Sequence, residues 1–360
     1  MESKYYFLIP AIFIFTSLCF LSCDEDCPNC PEGIAPQPPI SHRIYAFDDM
    51  NGFIMSVDYP ADTIVDSIRV DFYGWGIFIT PDGERLLVTN SSGSHTMEIY
   101  RTADLSHIGS LNQFGDYFFD GGDDYGIWLP LTGNKFYFID GASLLPTGAI
   151  NRPVYYGFLD TLSNTFFALS ANDGRIIYRV DCDLRKIADS IVMPVGVSLD
   201  FVYSRAANSI FFFGGKWLLA YGLEDHEIDT LDNDYYFYKS LGISSDGKLL
   251  CVTDGGDALF GYSPVNDMVF YDAVTRELMP TFAQDFSFFG QLLPYFFGKP
   301  LFAPDNSLVF VGSFPGSGGC TPLCFVDPEG PVITDVISPF ECFDATAIAL
   351  GPIPTEIAGK

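Results

Sequence analysis

A strand–turn–strand unit recurs along this chain, and the recurrence restricts the fold more than any other feature. It is clearest at Gly76-Ile-Phe-Ile-Thr-Pro-Asp-Gly-Glu-Arg-Leu-Leu-Val-Thr-Asn90. It returns at Leu241–Asp254, centred on Asp246-Gly247, and at Lys299–Gly312, centred on Asp305-Asn306. Asp-Gly and Asp-Asn accept the positive φ that a tight hairpin needs. Weaker copies surround Asn134, Asn164 and Asn208, each followed by an apolar run: Lys135–Ile139, Thr165–Leu169 and Ser209–Phe213. From Arg43 onward no helical periodicity shows; β-branched and aromatic runs alternate with Gly, Asn, Asp and Pro.

Aligning the second strand of each unit places Phe47, Val88, Ile139, Leu169, Phe213, Val252 and Val311 at equivalent positions. The mean step is about 44 residues, the period of four-stranded propeller blades. The step from Ile139 to Leu169 is only 30 residues, so a stunted blade is expected there. Third and fourth strands are expected at Met97–Arg101 with Ser106–Leu111, Arg175–Val180 with Lys186–Val192, and Met268–Asp272 with Leu278–Phe282. The domain opens on a second strand, Arg43–Phe47, and ends on a first strand, Ala345–Leu350. Pairing the two completes one blade and removes two exposed edges. The expected fold is therefore all-β: a seven-bladed β-propeller over residues 42–360, with one blade shared between the N- and C-terminal strands.

The units at Ile79–Asn90, Ser245 and Ala303 resemble the YVTN β-propeller repeat family. The resemblance implies a seven-bladed propeller exposed outside the cytoplasm. It implies little about chemistry, because propellers host lactonases, dehydrogenases, lyases and pure binders.

The N-terminus agrees with that compartment. Lys4 precedes an apolar run that ends at a small residue and a cysteine, the layout of a secretory signal. Phe20-Leu21-Ser22-Cys23 resembles the lipobox of bacterial lipoproteins, which implies cleavage after residue 22 and lipid on Cys23. A transmembrane anchor or an ordinary signal peptide is the alternative for residues 1–22. Residues 23–41 carry five prolines and no aromatic residue, a stiff tether rather than a packed segment. The expected location is the bacterial cell envelope, lipid-anchored, on its periplasmic or cell-surface side.

A net charge of -28 with only 18 Lys and Arg argues against nucleic-acid binding. It leaves open a solvated acidic surface or a face for cations and cationic partners. Among nine cysteines, Cys27 and Cys30 form a Cys-Pro-Asn-Cys followed by Pro31, which excludes a c-type haem site. A local disulfide is expected there, and another among Cys320, Cys324 and Cys342. Cys251 lies in an apolar strand and reads as a buried thiol.

Candidate ligand contacts are the aromatic and imidazole groups of loops expected to share one face: Trp75, His95, Tyr117, Tyr125, Tyr235 and Tyr236. These loops join outer strands to the next inner strand, or second strands to third. Candidate metal ligands are Asp120, Asp123, Asp124, Asp254 and Asp257, whose oxygens suit calcium. Ordinary Asp-Gly turns account for the same residues. No other cofactor is expected. Nucleophile elbow, paired-histidine and phosphate-loop motifs are absent. The resulting expectation is a monomeric module that binds a glycan, a cationic peptide or an envelope protein. A lactonase-like, divalent-cation-dependent hydrolase is the alternative.

Overall fold

The computed structural model describes residues 42–352, except 49–50, 60–62, 75, 81, 91–95, 112–116, 121–124, 130–133, 233–238, 255–267, 280–286, 289–290, 293–294, 304–305, 307–308, 315–322, 329–331 and 338–344. The chain divides into Met1–Ile40, which lies outside the described residues, and Ser41–Lys360. The second unit is a β-propeller.

Its first sheet is built from both ends of the domain. It holds β1 (His42–Asp48), β2 (Phe53–Tyr59), β3 (Thr63–Arg69) and the last strand, β29 (Ala345–Pro352), in the order β29-β1-β2-β3. β1 pairs antiparallel with β29 from His42↔Pro352 to Asp48↔Ala345, so the chain ends close the ring as the repeat phase predicts.

The next sheets run in chain order. They are β4 (Ile77–Ile79), β5 (Arg85–Asn90), β6 (Thr96–Arg101) and β7 (His107–Leu111); then β8 (Tyr117–Asp120), β9 (Tyr125–Leu129), β10 (Phe136–Asp140) and β11 (Pro146–Ile150). β12 (Val154–Asp160), β13 (Thr165–Ser170), β14 (Ile176–Asp181) and β15 (Lys186–Val192) follow, then β16 (Ser198–Ser204), β17 (Ser209–Gly214), β18 (Trp217–Gly222) and β19 (Ile228–Asp232). A three-stranded sheet holds β20 (Lys239–Ile243), β21 (Leu249–Asp254) and β22 (Met268–Asp272). A two-stranded hairpin, β23 (Ser287–Phe288) with β24 (Gln291–Leu292), precedes β25 (Tyr295–Phe302), β26 (Val309–Phe314), β27 (Leu323–Asp327) and β28 (Val332–Ile337). First strands touch their neighbours in the order β4, β8, β12, β16, β20, β25, β29 and back to β4.

Every strand of such a ring has a neighbouring sheet on each side, which explains the unbroken apolar second strands. In β17, Phe211 and Phe213 pack toward Leu241, Leu250 and Val252, while Ile210 and Phe212 pack toward Phe167, Leu169 and Ile177. In β1, Ile44 and Ala46 face Ala303 and Leu323, whereas Tyr45 and Phe47 face Ile79, Leu86 and Val88. Both sides are buried, so alternation disappears from the sequence.

The hairpins joining first to second strands carry the repeat signature. Gly83, Asn164, Asn208, Gly247 and Asn306 all have φ between 46° and 75°. In two of them the side chains are superposable in role. Gly83 N donates to Thr80 O at 2.7 Å and Gly247 N to Ser244 O at 2.9 Å. Asp82 takes the Glu84 amide at 3.0 Å, and Asp246 takes the Lys248 amide at 3.1 Å. Burial alone would raise both carboxyls, but these hydrogen bonds and the adjacent Arg85 or Lys248 hold them below the usual range.

Several expectations need correction. Ile139 lies in β10, the third strand of its sheet, and the second strand is β9. That sheet has all four strands and is not stunted. Asn134 lies between β9 and β10, not in a first-to-second hairpin. The phase slipped because the acidic, Gly-rich stretch at 120–124 hides a hairpin. For the same reason residues 116–125 are not one long connection: they contain β8 and the start of β9. A fourth strand at Leu278–Phe282 reduces to a bridge from Leu278 to Tyr271, with residues 280–282 outside the described part.

Candidate functional site in the channel

Consecutive antiparallel strands alternate direction, so the ring has two distinct faces. First-to-second and third-to-fourth connections form a turn face. Second-to-third and sheet-to-sheet connections form a loop face. β8 is a first strand and β9 a second, so the end of β8 meets the start of β9 at the turn face, opposite the face expected for Asp120 and Tyr125. Asp120 closes β8 and Tyr125 opens β9 at that same end. Tyr125 is half-buried against Phe138, and its hydroxyl donates to Asn164 Oδ1 in the neighbouring sheet's hairpin. It holds two sheets together. Tyr117 opens β8 and Asp254 closes β21, both at the loop face as expected, and Cys324 lies within β27. Trp75, His95, Asp123, Asp124, Tyr235, Tyr236, Asp257, Cys23, Cys27, Cys30, Cys320 and Cys342 lie outside the described residues. Cys182 and Cys251 are buried free thiols, and burial pushes the Cys182 thiol up to about 11. Among the described residues no group of three or more His, Cys, Asp or Glu could hold a metal ion.

The structure instead brings together four residues of the first strands, which line the central channel: Tyr156 of β12, Asp200 of β16, Ser240 of β20 and Lys299 of β25. Lys299 Nζ donates to the Tyr156 hydroxyl. It also stands 5.1 Å from the centroid of that ring and 4.0 Å from Asp200 Oδ1. β12 and β25 are not neighbours; β16 and β20 stand between them in the ring. The lysine must therefore reach across the channel to meet Tyr156.

Backbone irregularities aim these side chains. The register of β16 shifts between Ser198 and Phe201, which frames Asp200. That of β25 shifts between Phe297 and Leu301, which frames Lys299. That of β12 shifts between Val154 and Tyr156. Bulges re-aim side chains and recur beside functional sites. Pro300, which has no amide to give a ladder, fits within such a break.

Asp200 is only 5% exposed and fully engaged. One carboxylate oxygen accepts the Phe201 amide at 2.8 Å; the other accepts Ser240 Oγ and the Leu241 amide, each at 3.0 Å. Tyr156 is fixed by an edge contact with Phe201, 5.6 Å between centroids. The arrangement is a rigid acid with its serine partner, a phenol and a partly exposed lysine side chain, gathered from four first strands. Sequence reading missed it because each residue occupies an unremarkable strand position. The one local signal was Lys299-Pro300 inside an otherwise apolar first strand.

No family model matches the chain, and no curated protein does. Solved structures show the fold. Hydrazine synthase of Kuenenia stuttgartiensis is similar with a TM-score of 0.55 at 11% identity, over 73% of this chain and 87% of that one. Dihydro-heme d1 dehydrogenase NirN, in complex with DHE, is similar with a TM-score of 0.57 at 10% identity, over 87% of this chain. This chain spans 66% of the NirN chain. At such identities the likeness is one of propeller architecture alone.

Proposed function

We propose that this chain is a lipid-anchored, extracytoplasmic propeller of the YVTN type that acts as a ligand- or protein-binding module in the bacterial cell envelope. Cys23 carries the lipid and residues 24–41 form the tether. The blade count is seven, with the three-stranded sheet as a blade. In support, β20 touches both β16 and β25 like any other first strand, and an isolated bridge joins Leu278 to Tyr271 where a fourth strand would run.

The observation that carries the binding reading is the cluster of Tyr156, Asp200, Ser240 and Lys299, set into the channel wall at register breaks. Preorganised polar groups in a concave site on rigid strands are what selective recognition requires. Glycans are the ligands that suit a phenol beside hydrogen-bonding groups. A glycan array and a calcium titration followed by thermal shift, on the full-length chain in detergent, test this. A response lost in the Tyr156→Phe, Lys299→Met double variant supports the channel. A response insensitive to that variant but lost on joint substitution of Asp120, Asp123 and Asp254 refutes it and favours the acidic segments. Intact mass of membrane-extracted protein tests the anchor: an unmodified Cys23 would rule it out.

A further inference from the structure

We propose that the channel site engages its ligand through a carboxylate group, with Lys299 as the direct electrostatic partner and Asp200 as the residue that positions Lys299. This deepens the binding reading above and rests on it.

An ammonium has three N–H donors and no acceptor. One of those of Lys299 goes to Tyr156. Asp200 Oδ1, at 4.0 Å, is beyond hydrogen-bond range and accepts the Phe201 amide, while Oδ2 accepts Ser240 Oγ and the Leu241 amide. Asp200 therefore supplies charge balance and direction without consuming the donors of Lys299. The Lys299 side chain is 39% exposed, which leaves its remaining donors open to solvent or a ligand. Among the described residues, what the site offers a visitor is the positive charge and N–H groups of Lys299, while the Asp200 carboxylate is buried.

That polarity selects among ligands. A cation would meet the ammonium first. A neutral hydroxyl could accept one hydrogen bond. A carboxylate accepts from two donors at once and makes charge-assisted bonds, roughly twice as strong as neutral ones. The chain as a whole carries a net charge of -28, so long-range steering does not favour an anion. Selection must then come from contact inside the channel. The expectation of cationic or neutral ligands, which the composition suggests, is replaced here by a local charge of opposite sign.

Lys299 could instead be a strut that braces two sides of the ring. The two roles separate experimentally. The full-length chain in detergent is titrated with D-glucuronate, D-glucose and propionate. Glucuronate is expected to bind at least about tenfold more tightly than glucose, the size of one charge-assisted contact. Propionate distinguishes the source: a matching response means that any small organic acid suffices, and a weaker one means that an acidic sugar is preferred. Lys299→Met should erase the preference for glucuronate, and Lys299→Arg, which keeps the charge, should retain it. Equal binding of glucose and glucuronate overturns the proposal. So does a folded Lys299→Arg protein without the preference, a Lys299→Met protein that loses only melting temperature, or no response to either carboxylate up to about 50 mM. A glucose response that is lost in Tyr156→Phe but indifferent to Lys299→Met overturns the carboxylate assignment and leaves channel binding standing.

Discussion

The turn face and the loop-face end of the channel are built on opposite plans. The turn face is stitched from sheet to sheet. Tyr45 donates to the Thr102 carbonyl at 3.0 Å, Arg85 to the Gly141 carbonyl, and Tyr125 to Asn164. Arg205 clamps both oxygens of Asp160 at 2.6 and 2.7 Å. Ser204 donates to the Gly247 carbonyl, Arg276 pairs with Asp229, and the Ser245 amide meets Asn306 Oδ1 at 2.9 Å. Each link joins neighbouring sheets. At the loop-face end, the polar contacts converge inward instead, on Lys299 and Asp200. This propeller separates holding its sheets together from presenting chemistry. A face that braces the ring cannot vary freely, whereas connections on the other face can.

The third-to-fourth turns belong to the bracing plan too. Leu105, Leu144, Arg185, His226 and Arg276 all have positive φ. In three of these turns an Asp at the end of the third strand caps the turn. Asp140 takes the Ser143 amide at 2.6 Å, Asp181 the Leu184 amide at 2.9 Å, and Asp272 the Val274 and Thr275 amides at 2.8 Å. Side-chain caps of this kind offset the strain of left-handed residues.

The largest expected effect comes from removing the closure that the bracing serves. Deleting residues from Ala345 onward strips β29 from β1 and bares the edge of Arg43–Phe47. The truncated protein should aggregate and lose its cooperative melt, read by size-exclusion chromatography and calorimetry. A monomer with an unchanged melting temperature would show that closure does not depend on β29.

Next is a turn-face glycine. Gly247 has φ +75°, and a Cβ there meets the Ala206 and Arg205 amide nitrogens at 3.1 and 3.2 Å. Gly247→Val should cost about 2–3 kcal/mol in a denaturant titration. Gly215, between β17 and β18 on the loop face, is the control. It has φ +68° with nothing within 4 Å of its Cβ position, so Gly215→Val should cost only the strain of positive φ, about 1–2 kcal/mol. Equal losses at the two positions would erase the contrast between the faces.

Acid should then act on a carboxylate near the loop-face end. Burial would raise the Glu98 carboxyl, but hydrogen bonds from Ser110, Thr96, His107 and Asn90 outweigh it and pull it down to about 2. A depressed folded-state value stabilises the fold above the ordinary carboxyl range and loses that contribution as pH falls from about 4.5 toward about 2. Melting temperature against pH should drop through that window, and Glu98→Gln should flatten the drop. An identical acid limb in the variant would assign the titration to other groups.

The smallest effect is expected at Asp160. Asp160→Ala removes the Arg205 clamp, whose arginine is 43% exposed, and should cost about 0.5–1 kcal/mol. Combined with Arg205→Ala, the loss should be less than additive.

What is local and repeated was legible in the chain. The Asp-Gly and Asn turns announced positive φ, and Gly83, Asn164, Asn208, Gly247 and Asn306 adopt it. The unpaired second strand at one end and the unpaired first strand at the other announced the β1–β29 pairing. Short-range rules suffice there, because hairpin geometry depends on a few adjacent residues. The phase of the third sheet was not legible, since the aromatic and acidic stretch Asp116–Tyr125 reads equally as one long loop, while Asn134 with the apolar run after it imitates the repeat's hairpin. The channel site was legible least of all. Lys299 and Tyr156 are 143 residues apart and sit on sheets that do not touch side by side. Only the curvature of a closed ring, with register breaks turning Asp200 and Lys299 inward, brings them together, and no periodicity along the chain encodes a chord across a circle.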